Sequence, residues 1–146
     1  YEMSTEANDY WWWVDGLYMV MPVMTKLYKE TGNEMYLEKL DTYLKHANSI
    51  MYDDEAKLYF RDAKYVYPKH KSANGKKDFW ARGDGWVFAA LAKVLTDLPK
   101  NDPHRKEYIL RFKEMAAPGM TTDAPTSPPM ASSAIRTFCG MNVPET

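Results

Sequence analysis

The chain has 146 residues, 45% of them apolar and 27% charged, the composition of a globular protein long enough for one core. A formal net charge of −1 excludes the bulk basicity that draws proteins to nucleic acid or acidic membranes. No run of about 18 apolar residues is present to span a bilayer, and Cys139, the only cysteine, can form no intrachain disulfide.

The chain begins at Tyr1 rather than Met, as a trimmed or internal segment would. The histidines His46, His70 and His104 lie far apart with no companion cysteine, a spacing that does not suggest zinc. Aromatic content is 14%, with five Trp and eleven Tyr, and the five Trp fall in the clusters Trp11-Trp12-Trp13 and Trp80/Trp86. Such rings can fill a core or stack on sugar faces, and composition alone does not choose.

In chain order, Leu17, Val20, Met21, Met24, Leu27 and Tyr28 recur at three- and four-residue steps and predict a helix over 17–31. Gly32 ends it, and Pro22 inside the pattern predicts a kink or an irregular start. Asn33 is a good N-cap for a second helix with the apolar stripe Tyr36, Leu37, Leu40, Leu44, Ala47 and Met51. The short gap makes the pair an antiparallel hairpin.

Residues 53–79 lack helical period. Leu58-Tyr59-Phe60-Arg61 and Tyr65-Val66-Tyr67 read as short strands, and Asn74-Gly75 as a turn, with any strands confined to about 56–80. A connection of this length in a compact domain tends to be functional. Its basic residues, Lys69-His70-Lys71 and Lys76-Lys77, suit a solvated turn or the attraction of an anionic oligosaccharide.

A third helix spans about 84–98, carried by Val87, Leu91, Val94, Leu95 and Leu98 and stopped by Pro99. Asp102 caps a fourth, with Pro103 at its first position and Tyr108, Ile109, Phe112 and Met115 following. Five of the nine prolines then fall after Ala117, so 118–146 reads as an irregular Pro/Ser/Thr-rich tail behind a helical domain over 1–117. Two α-hairpins in succession indicate an all-α repeat or toroid.

Two constellations carry chemistry. In Trp11-Trp12-Trp13-Val14-Asp15-Gly16-Leu17, Asp15 sits where a helix begins. It is either a cap or a carboxyl desolvated by the tryptophans, whose pKa then rises toward that of a proton donor near neutral pH. In Phe79-Trp80-Ala81-Arg82-Gly83-Asp84-Gly85-Trp86, Arg82 can hold a carboxylate in a bidentate pair, and Trp80 and Trp86 can stack on sugar. That block is equally readable as a glycine-rich helix entry with Arg82 paired to a neighbouring acid. Met19, Met21 and Met24 are spaced as core filler, and Met19 lies one helical turn beyond Asp15.

These blocks resemble glycoside hydrolase family 105, the unsaturated rhamnogalacturonyl hydrolases, with family 88, the unsaturated glucuronyl hydrolases, as a near neighbour. The resemblance rests on Trp13-Val14-Asp15-Gly16-Leu17-Tyr18-Met19, Thr31-Gly32 with Tyr36-Leu37, the Trp80–Trp86 block, and Leu98-Pro99 with Asp102-Pro103, and covers roughly 8–117. It implies an (α/α)6 barrel of which this chain is a middle portion. It implies removal of a terminal 4,5-unsaturated uronic acid from lyase-generated oligosaccharides by hydration of the C4–C5 double bond.

On that resemblance Asp15 is the general acid and base, and Trp13, Met19, Arg61, Trp80, Arg82, Asp84 and Trp86 contact substrate. No cofactor or metal is implied. The implied partner is an unsaturated uronate-terminated oligosaccharide, with no nucleic acid, membrane or obligatory protein partner, in the cytoplasm or periplasm of a bacterium. A single dominant carboxyl suits hydration of an electron-rich double bond, whereas ordinary glycosidases need two. The chain departs from the family in carrying Asp84 where Asn is common, Arg61 where many members have His, and a tail from Pro118 unlike the next helical hairpin. Two other readings compete: a non-catalytic carbohydrate-binding fragment using the same tryptophans, and a helical scaffold presenting Trp11–Trp13 on a convex face.

Overall fold

A computed structural model of the chain describes residues 13–117. Trp11, Trp12 and the tail from 118 therefore lie outside the described residues. Four helices follow in order: α1 (Val14–Thr31), α2 (Met35–Met51), α3 (Ala81–Asp97) and α4 (Arg105–Ala116). Between α2 and α3 a two-residue pair, β1 (Tyr52–Asp53) and β2 (Leu58–Tyr59), runs antiparallel with Tyr52 opposite Tyr59 and Asp53 opposite Leu58.

The α1–α2 hairpin closes as its sequence requires. Gly32 takes the left-handed conformation, φ 67°, and its N–H donates to the Tyr28 carbonyl. Asn33 Oδ1 accepts the Met35 N–H at 3.0 Å, so Asn33 supplies the expected cap although the helix proper opens at Met35. Helix α1 opens at Val14 instead of Leu17 and runs on through Pro22 without the expected irregular start. Met21 and Thr25, both fully buried, seat the turns on either side of it, so packing holds the helix where the missing N–H weakens it.

Helices α1 and α3 lie side by side and parallel. Val14 meets Gly83 at one end, the Tyr18 and Trp86 rings pack with centroids 4.5 Å apart further along, and Lys26 and Lys29 both reach Asp97 at the other end, at 2.7 and 3.0 Å. The core between them joins Leu17, Met21, Val87, Leu91 and Val94, and extends to Leu40, Leu44 and Met51 of α2 and to Tyr108 and Met115 of α4. Helices α2 and α4 thus return along the outer flanks. Both inner helices begin at the same end, which the 52–80 segment covers.

Two corrections apply to that segment. Strand β1 lies before residue 56, because the chain leaves α2 extended and pairs at once with Leu58–Tyr59. Tyr65–Tyr67 forms no strand. Asp62 Oδ1 accepts the Lys64 N–H at 2.8 Å and the Asp62 carbonyl accepts that of Tyr65, turn chemistry that curls the backbone away from extension. The Asn74-Gly75 turn forms, with Gly75 at φ 78°.

Pro103 is likewise not the first residue of α4. Asp102 Oδ1 caps the His104 N–H in a separate turn, and the helix starts at Arg105, whose guanidinium donates to the Leu95 and Leu98 carbonyls at the end of α3. Along α1, Met19, Val23 and Leu27 are 60%, 52% and 37% exposed, an apolar stripe of the kind expected where further hairpins pack.

Candidate active site

The two inner helices open in the same way. Trp13 precedes α1 and Trp80 precedes α3, each extended and neither offering a side-chain cap, with the two rings 6.5 Å apart. In place of a cap, the loop satisfies α1: the Arg61 carbonyl accepts the Val14 N–H at 2.9 Å, and Trp13 bridges antiparallel to Asp62. Gly83 lets the helix starts approach. A Cβ there would overlap Val14 Cγ1 and come within 3.0 Å of the Trp80 ring.

Asp15 is the second residue of α1 and is not its cap. Its Oδ1 is shielded from solvent and has no hydrogen-bond partner among the described residues. Burial raises its pKa above the ordinary 3.8, partly offset by the attraction of the Arg82 guanidinium. Asp15 and Arg82, distant in sequence, are thus brought into electrostatic contact. Arg82 stands exposed with its guanidinium carbon 4.4 Å from the Trp80 ring, and no carboxylate among the described residues forms an ion pair with it. An arginine over an aromatic face beside a desolvated acid is suited to capture a carboxylate ligand.

Beside it opens a cavity of about 340 Å³, at the small end of the roughly 300–1,000 Å³ usual for ligand sites. Trp13, Arg61, Trp80 and Arg82, all singled out from sequence, line it, together with Tyr65, Asp78 and Phe79, which were not. The Arg61 guanidinium carbon lies over Tyr65 at 3.6 Å from its ring centroid and 5.4 Å from that of Trp13, while Nε donates to Asp62 at 2.9 Å. Phe79 stacks on Phe60 at 4.8 Å, closing the base of the loop. The loop's length was the signal for these missed residues; its backbone path was what the sequence lacked.

Asp15 itself is not in the cavity lining, and three other expected contacts stand apart from its walls. Trp86 packs on Tyr18 between the helices, and Met19 faces outward on α1. Asp84 is 2% exposed. Its Oδ1 accepts the Tyr59 N–H at 2.8 Å, its Oδ2 has no partner among the described residues, and burial pushes its pKa up to about 7.

A further cluster, Asp41, His104 and Glu107, gathers between α2 and α4. Lys45 already lies 2.9 Å from Asp41 and 3.9 Å from Glu107, so a metal ion there would compete with an ammonium. No helix among the described residues is long and apolar enough to cross a membrane.

With this geometry in hand, the pattern defining Glycosyl Hydrolase Family 88 matches residues 3–118. The chain belongs to Glycosyl Hydrolase Family 88. An unsaturated 3S-rhamnoglycuronyl hydrolase of Formosa agariphila is 38% identical over 111 residues, 73% of this chain and 29% of that protein. A solved structure described as a polysaccharide lyase is 74% identical, with a TM-score of 0.72 over 78% of this chain and 32% of that one. A family 88 glycosyl hydrolase from Bacteroides vulgatus is 66% identical with the same TM-score, covering 78% of this chain and 33% of its own. A family 105 glycoside hydrolase from C. acetobutylicum is 29% identical at a TM-score of 0.58, covering 71% and 30%. The family 88 chain therefore spans about a third or less of the proteins it matches.

Proposed function

We propose that the family 88 chain supplies two hairpins of a six-hairpin (α/α)6 toroid and carries the acid–base centre of a hydrolase acting on 4,5-unsaturated uronic acid termini of oligosaccharides. The observation that carries this reading is the desolvated Asp15 carboxyl near Arg82, neither of them ion-paired among the described residues, where Arg82 lines an aromatic cavity with Trp13 and Trp80. In the proposed step Arg82 holds the uronate carboxylate and the Trp13 and Trp80 faces hold the ring. Asp15 gives its proton to C4 of the double bond. It then takes a proton from the water that adds at C5, leaving a hemiketal that opens and releases the neighbouring sugar. The raised pKa of Asp15 favours the acid form that the first half needs. The exposed Met19–Val23–Leu27 stripe supports burial of α1 against a further hairpin.

A second reading is favoured by one specific observation, the 74% identity to a structure described as a polysaccharide lyase. In β-elimination a base removes the C5 proton next to the carboxylate that Arg82 would neutralise. The C4–O4 bond then breaks, the leaving oxygen is protonated, and the product carries the 4,5 double bond. Hydration and elimination thus use the same carboxylate clamp and differ in direction along the double bond. One assay separates them. Absorbance in the ultraviolet band of the unsaturated uronyl group falls with the full-length hydrolase on unsaturated disaccharides, and rises with a lyase on saturated uronate-containing oligosaccharides. No change in either direction sinks both readings.

A further inference from the structure

A cavity for an anionic sugar carries an anionic side chain in its own wall. Asp78 lines it alongside Arg61 and Arg82 and is 45% exposed at the side chain. Its Oδ2 is held by His70 Nε2 at 2.9 Å, and the His70 ring packs on Tyr65 at 4.2 Å, the same ring that carries Arg61. A chain of contacts therefore joins one guanidinium to the other, from Arg61 through Tyr65 and Asp78, which His70 ties together from outside the lining, to Trp80 and Arg82. Asp78 is a fixed part of it, not a free surface acid.

A carboxylate accepts hydrogen bonds and repels other anions, so it cannot be the group that faces the uronate. What it suits is an uncharged sugar with free hydroxyl groups. Asp78 Oδ1 forms no hydrogen bond among the described residues and is available to accept one. We infer that the Asp78–His70 pair is the specificity-determining element for the sugar next to the bound uronate, accepting hydroxyl hydrogen bonds from a neutral sugar and rejecting one that bears sulfate or carboxylate there. The inference rests on the reading that this cavity binds a uronate-containing oligosaccharide.

Two disaccharides with the same terminal uronyl group, one with a neutral second sugar and one with a sulfated second sugar, test it in the full-length protein. Wild type prefers the neutral one. Asp78→Asn lowers kcat/KM for the neutral substrate by roughly 10- to 100-fold, the range for losing a charge-assisted hydrogen bond, and spares or improves the sulfated one, so the ratio between them collapses. His70→Gln, which loosens Asp78 while keeping its charge, shifts the ratio less and in the same direction. Calorimetric binding of both disaccharides runs beside the rates. Asp78-dependent discrimination in binding without turnover keeps this inference and breaks the proposed reaction. A neutral-to-sulfated ratio unchanged by Asp78→Asn, in rate or in binding, overturns the inference even if turnover is normal.

Discussion

Asp15 and Asp84 lie in the first turns of two parallel helices that start at the same end, yet their surroundings differ. Asp15 is half-buried, outside the cavity lining, with the positive charge of the cavity residue Arg82 near it. Asp84 points into the interior, holds the Tyr59 N–H and forms no ion pair among the described residues. Desolvation raises both carboxyls, but only Asp15 combines that with a neighbouring guanidinium. An acid's place along a helix start does not assign its role. Which side of the helix meets solvent does.

The sharpest way to break this contrast is Asp15→Asn. The variant folds as the parent does, because Asp15 makes no capping bond to lose, and turnover falls by roughly 10²–10⁴-fold or more while substrate binding persists. Initial rates with a melting curve check it, and near-normal turnover in the Asp15→Asn protein would move the search for the acid to Asp84. Arg82→Ala comes next. It raises KM by about 10- to 100-fold through loss of the charge-assisted pair, with a smaller change in kcat. An equal fall in kcat with KM unchanged would place Arg82 in the transition state alone.

Gly83→Ala probes the spacing of the two helix starts. Its Cβ has no room against Val14 and Trp80, so α1 and α3 separate at a cost of about 1–3 kcal/mol in stability, read from denaturant unfolding, and activity drops with the Asp15–Arg82 geometry. Gly85→Ala meets nothing within 4 Å and serves as the matched control, expected to be near neutral.

The last contrast is in pH dependence and belongs to Asp84. Its folded pKa of about 7 lies above the ordinary 3.8, so the folded chain binds that proton more tightly than the unfolded chain. Its contribution to stability is complete below about 3.8 and is lost as pH rises through 7. Asp84→Asn keeps an oxygen for Tyr59 and removes the titration, so the stability difference between about pH 5 and about pH 8 narrows. An unchanged difference would mean that Asp84 is ionised across that range.

Local chemistry by itself determined much of this molecule. Gly32 and Asn33 closed the first hairpin, Pro99 and Asp102 separated the second, and the apolar spacing placed four helices whose interior was read correctly at Leu40, Leu44, Val87, Leu91 and Val94. The Trp13–Asp15 and Trp80–Arg82 blocks pointed to the proposed site through their resemblance to the family, and the fold brings Trp13, Trp80 and Arg82 to one cavity.

Only tertiary structure decided the rest. Whether Asp15 capped a helix or stood unpartnered depended on the Arg61 carbonyl, supplied from a loop far along the chain. Whether Trp86 met solvent or Tyr18 depended on the parallel packing of α1 on α3, which no period in either helix encodes. Asp78 and Tyr65 joined the cavity because turns at Asp62 and Asn74-Gly75 folded the loop back over the helix starts. Burial and long-range electrostatics depend on neighbours brought together by folding, and those neighbours are not adjacent in the chain.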